Sequence, residues 1–89
     1  MVNVFLSHQV ADFESWLKGF NAAEALRAKY GVKTIGIYNG VEKSTDVTVI
    51  TEFPNMDAVN GFLSSPELKA DMEKAGVVGV PELKILHKV

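Results

Sequence analysis

His8 is the only ionisable residue on the apolar face of the first strand, where Val2, Val4 and Leu6 share its parity. An imidazole titrates near neutrality, so it serves as a general base or as a hydrogen-bonding partner for a ligand. The simpler reading is structural, since a lone polar residue near a strand end usually bonds backbone, here around Asp12 or the 76–81 segment. Trp16 and Phe20 follow on a helical stripe. They read as core, or as a flat platform for an aromatic molecule with the indole N–H offered inward, and both readings hold together. Tyr38, at the end of a strand, is placed to donate into a pocket beside these residues. Its parity opposite Ile35 and Ile37 favours a position facing a partner chain instead. Asp12 reads most simply as a helix N-cap and His87 as a surface or interface residue near the chain end.

This is a short catalytic inventory. With no cysteine there is no disulfide, thiolate nucleophile or cysteine-ligated metal. His8 and His87 fall toward opposite ends of neighbouring strands, on the order of 15 Å apart, so one chain cannot bring them to a shared metal. No flavin, nicotinamide or nucleotide fingerprint is present. Gly76-Val-Val-Gly79 follows a helix rather than opening one, so it lacks the helix N-terminus that a phosphate site uses. The expectation is a site without cofactor or metal.

The elements that must position these residues follow from hydrophobic periodicity. Val2–Ser7 alternates as a strand, and His8 continues its apolar face. Asp12 opens a helix over 13–30 whose stripe is Phe13, Trp16, Leu17, Phe20, Ala23, Leu26 and Tyr30, and Gly31 ends it. Val32–Asn39 and Asp46–Phe53 are strands joined by a polar loop, and Pro54 stops the second. Asn55 caps a short helix carrying Met56, Val59, Phe62 and Leu63. Ser65-Pro66 starts another, bearing Leu68, Met72 and Ala75, which Gly76 stops. Val77–Pro81 reads as an apolar loop and Glu82–Val89 as the last strand.

This order is one βαββαβ unit of the α+β class: a single domain over 1–89 with a four-stranded antiparallel sheet, order 4-1-3-2, and helices on one face. The end of the first strand then gathers His8, Trp16, Tyr38 and the 76–81 loop. The helix-free face would carry Phe5, Ile50 and Leu86, and 47% of the chain is hydrophobic. Such a patch on a small domain argues for a homodimer through the sheet. A net charge of −2 and singly scattered lysines and arginines give no reason to bind nucleic acid or an anionic membrane. The first strand is too short and mixed for a signal peptide or a membrane span, so a soluble cytoplasmic protein is expected.

Three runs, His8-Gln-Val-Ala-Asp12-Phe-Glu-Ser-Trp16, Ser65-Pro-Glu-Leu-Lys69 and Ala75-Gly-Val-Val-Gly-Val-Pro-Glu82, resemble a group of small uncharacterised bacterial proteins of the dimeric α/β barrel superfamily. The resemblance spans most of the chain. It implies a ferredoxin-like fold whose sheets pack face to face between two subunits, with ligands between each sheet and its helices. Better-known branches include cofactor-free monooxygenases of antibiotic biosynthesis, polyketide cyclases, muconolactone isomerases and haem-handling enzymes. His8, Asp12 and Trp16 carry over as motif positions without an assigned role.

Three functions are compatible with this pattern: a binding protein for a small apolar or aromatic molecule, a cofactor-free monooxygenase or cyclase/isomerase with His8 moving the proton, and a dimerising module without a ligand. For the first two, the expected pocket lies beside the first half of the first helix. Its lining would be Val4, Leu6, His8, Trp16 and Phe20, with Tyr38 and Val77 at its rim and the 76–81 loop as a lid.

Overall fold

The computed structural model describes residues 1–74 and 77–89. Eight elements follow one another: β1 (Val2–Val10), α1 (Phe13–Ala22), α2 (Glu24–Lys29), β2 (Lys33–Asn39), β3 (Asp46–Phe53), α3 (Met56–Leu63), α4 (Pro66–Lys74) and β4 (Val77–Leu86). The strands form one sheet in the order β2-β3-β1-β4, with every neighbouring pair antiparallel. This is the α+β ferredoxin-like arrangement expected from the pattern.

Local chemistry sets the boundaries. The Asp12 carboxylate accepts from the Ser15 N–H at 2.9 Å, and the Asn55 side chain accepts from the Ala58 N–H at 2.9 Å. Each satisfies a donor that a helix start leaves free. Gly31, at φ 71°, closes α2. The Val32 N–H returns to the Arg27 carbonyl and the Gly31 N–H to that of Ala28, which is the paired bond pattern of a Schellman end.

Four expectations change. The helix over 13–30 is two helices, because the chain tightens at Ala23, whose N–H is shared between the carbonyls of Gly19 and Phe20, both at 3.2 Å. β1 runs on to Val10. The 77–81 segment is strand rather than loop, since Val77 and Val78 pair with Val10 and Gln9. Gly76, expected as the helix stop, lies outside the described residues. In β2 the register shifts between Thr34 and Gly36, leaving Ile35 as the extra residue of a bulge. Ile37 therefore packs toward the helices, whereas Ile35 is 49% exposed.

The helix-side face of the sheet carries two buried clusters. Val10, Trp16, Val47 and Val49 form one, with Phe13, Leu17, Phe20 and Ile37 against it. Val4, Phe53 and Val59 form the other, with Phe62 against it. No helix among the described residues is long and apolar enough to cross a membrane.

Candidate functional site

Between the two clusters lies a cavity of about 360 Å³. Small-molecule sites span roughly 300–1,000 Å³, so this volume holds a modest organic molecule. Its floor is the sheet, through Val4, Leu6, His8, Val49 and Thr51. Its roof is α1 and α2, and α3, α4 and β4 close its side through Phe62, Leu68 and Leu83. Along β1, His8 stands four residues from Val4, about 13 Å at strand spacing. The cavity is therefore elongated along the strand.

His8 pairs across the ladder with Val47 on β3. On its other side the register slips, with Ser7 opposite Glu82 and Gln9 opposite Val78, so that residues 79–81 of β4 stand against His8 alone. A bulge of this kind re-aims the local chain and often adjoins a functional group. The imidazole is 6% exposed. Neither Nδ1 nor Nε2 has a hydrogen-bond partner among the described residues. Among the described residues the ring therefore bonds no backbone, neither near Asp12, whose carboxylate caps α1, nor along 77–81; Gly76 lies outside them. Burial pushes the His8 pKa below its ordinary value of 6.5. A charge would lack solvation there, so the ring is neutral at pH 7, with one nitrogen able to accept and the other to donate.

The aromatic wall follows directly. Trp16 lies 5.7 Å from the His8 ring, 5.9 Å from Phe13 and 5.2 Å from Phe20. Trp16 is both core and cavity wall. Val4, Leu6, His8, Trp16 and Phe20 line the cavity together. Tyr38 does not join them. It pairs with Thr48 on the helix-free face, and a Cβ added at Gly36 would stand 2.6 Å from its hydroxyl, so the ring folds over that glycine. The side chain of Val77 lies outside the described residues.

Arg27 and Thr51 line the cavity and were not anticipated. The Thr51 hydroxyl lies 3.5 Å from the Val4 carbonyl, at the limit of a hydrogen bond. Arg27 is buried and its guanidinium lies 3.8 Å from the Phe20 ring centre. Gly19, which has no side chain, and Ala23, which has only a methyl group, also line the cavity and leave the volume open beneath the helix. Ala23 within the stripe of large apolar residues, with Gly19 one turn before it, is the signal that could have located it. Among the described residues no group of three or more His, Asp or Glu converges as a metal site would require.

No protein-family model and no curated protein matches the chain. Solved structures match its fold over essentially its whole length. One, from Bordetella bronchiseptica, is provisionally named an antibiotic biosynthesis monooxygenase; it is 15% identical, with a TM-score of 0.82 over 99% of this chain and 96% of that one. Another of the same provisional name, from Caulobacter crescentus, is 18% identical, with a TM-score of 0.79 over 99% of this chain and 89% of that one. An uncharacterised NIPSNAP domain protein from Burkholderia xenovorans is 10% identical, with a TM-score of 0.73 over 100% of this chain and 95% of that one. The chain has the ferredoxin-like fold of the antibiotic biosynthesis monooxygenase-like proteins, and identities this low speak for the fold alone.

Proposed function

We propose that this protein binds one small, flat, apolar molecule in the cavity between sheet and helices, with His8 as its hydrogen-bonding partner. The observation that carries this reading is the buried imidazole whose two nitrogens have no partner among the described residues, on the wall of an apolar cavity. An unsatisfied buried polar group costs about 1–3 kcal/mol, a cost that a ligand hydroxyl or carbonyl would offset. Calorimetric titration with 1-naphthol, flat and apolar with one hydroxyl, tests it. The expected result is saturable binding at one molecule per chain, weakened roughly tenfold in His8→Phe by loss of one hydrogen bond. Absence of binding would leave a dimerising module.

A second reading is supported by the neutral state of His8 and by the provisional names of the fold neighbours. A neutral imidazole can take a proton from a methylene flanked by two aryl rings that are conjugated to a ketone. The resulting carbanion reduces dioxygen to a hydroperoxide, which loses water to leave a carbonyl. One methylene and one dioxygen become one carbonyl and one water, and no cofactor enters. Oxygen uptake with anthrone as substrate, lost in His8→Ala, is the outcome expected of an enzyme. Binding without oxygen uptake is the outcome expected of a carrier.

The working assembly is a homodimer through the helix-free face, and the protein acts in the cytoplasm. Phe5, Ile50 and Leu86 lie on that face beside Tyr38, 54% exposed, with Ser7 and Thr48 hydrogen-bonded between them. An apolar sheet face of this kind needs cover in a stable domain of this size. Sedimentation at micromolar concentration is expected to give a dimer, weakened by Ile50→Lys. A monomer under those conditions would overturn this assembly.

A further inference from the structure

The roof of the cavity is held by an unusual contact. At the junction of α1 and α2 the Ala23 N–H is shared between two carbonyls, and the Phe20 carbonyl takes a further, shorter bond of 2.6 Å from Arg27 Nη1. The same guanidinium sits over the Phe20 ring, with Cζ 3.8 Å from its centre. One side chain thus holds both the backbone and the ring of a residue seven positions earlier. Only a planar group with donors around its edge can stack on a ring and donate at the same time, so lysine would not replace it. The Phe20 ring is tilted 31° from that of Trp16, and Trp16 borders His8. All four side chains line the cavity.

We infer that Arg27 is the positioning residue of this site: it fixes where Phe20 stands, sets the gap between the aromatic wall and the sheet, and so selects flat ligands over thick ones. The selectivity rests on the ligand-binding reading above. The placement of the wall does not, because it is a property of the empty protein.

Trp16 is the only tryptophan of the chain, so its emission reports on the wall without any ligand. Arg27→Met keeps the length and the apolar contact with Phe20 but removes the charge and the donors. It is expected to shift Trp16 emission and weaken 1-naphthol binding about tenfold, a loss of the size of one such contact. Binding of decahydro-1-naphthol, of similar outline but thicker, is expected to stay within about twofold, so the preference for the flat alcohol collapses. Arg27→Lys is expected to stay closer to Arg27→Met than to the unaltered protein. In a Phe20→Leu background Arg27→Met is expected to change both readouts by clearly less, because the ring contact is gone and the bond to the carbonyl of residue 20 remains. Should Arg27→Met not fold, Arg27→Lys carries the same comparison. Unchanged emission and unchanged preference would overturn the inference. So would an equal loss in the Phe20→Leu background, since Arg27 would then act through its other contacts. If the unaltered protein binds neither alcohol, the ligand reading fails and the emission decides by itself. A shift that is clearly smaller in the Phe20→Leu background supports the positioning role, and no shift, or an equal shift there, overturns it.

Discussion

Replacing His8 with leucine is expected to make the unliganded protein more stable, by about 1–3 kcal/mol, while removing its capacity to bind. The two side chains are close in volume, and leucine has no N–H or lone pair to leave unpaired in a site that is 6% exposed. The gain belongs to the class in which a functional group is kept at a cost in stability. Urea unfolding at one fixed protein concentration, with an unchanged denaturant slope, measures it. A loss of stability would instead mean that the imidazole holds the fold together.

The same variant separates the pH dependence. Burial lowers the folded-state pKa of His8 below 6.5, so between the two values the unfolded chain binds the extra proton. Stability then falls as pH drops from about 6.5 toward the folded pKa and levels off below it, where both states are protonated. Above 6.5 both states are neutral and the group adds no pH dependence, only the constant cost of an unpartnered neutral ring. The difference between the unaltered protein and His8→Leu isolates this slope from all other titrations.

Trp16→Ala carries the largest expected loss, about 3–5 kcal/mol, as for other buried aromatics cut to alanine. Trp16 is 3% exposed and joins Val10, Val47 and Val49 with Phe13 and Phe20 against it. It also borders an existing cavity, so truncation enlarges a void that the surroundings cannot close. For an 89-residue chain that loss is a large part of a typical total of about 5–15 kcal/mol. Trp16→Phe should lose much less. If Trp16→Ala costs under about 1 kcal/mol, the indole is a cavity wall without being core.

Much of this arrangement is legible along the chain because single-element rules govern it. The parity of β1 put Val4, Leu6 and His8 on one side, and that side faces the helices. Asp12, Asn55 and Gly31 act where short-range capping chemistry places them. The failures share a different origin. The break at Ala23 coincides with a side chain reaching back seven residues, from Arg27 to the Phe20 carbonyl, which helical periodicity cannot register. The bulge at Ile35 and the slip of β4 beside His8 are decided by pairing between strands, and a bulge reverses parity beyond it. Val77–Pro81 reads as a loop because glycine and proline punctuate it, yet β1 extends to Val10 and pairs with its start. Arg27 is masked in the sequence as one more charge on a helix, and only its contact with Phe20 brings it to the cavity.

The most direct measurement is a nitrogen-15 NMR spectrum of the two histidine side chains with and without 1-naphthol. Without ligand, His8 should show a neutral imidazole pattern at pH 7, as burial requires. Addition of 1-naphthol should move the His8 nitrogen resonances through a new hydrogen bond and leave those of His87, beyond the end of β4, in place. His8 resonances that stay fixed while ligand saturates the protein, or that already show a charged ring at pH 7, would contradict an imidazole held neutral and unpartnered for a ligand.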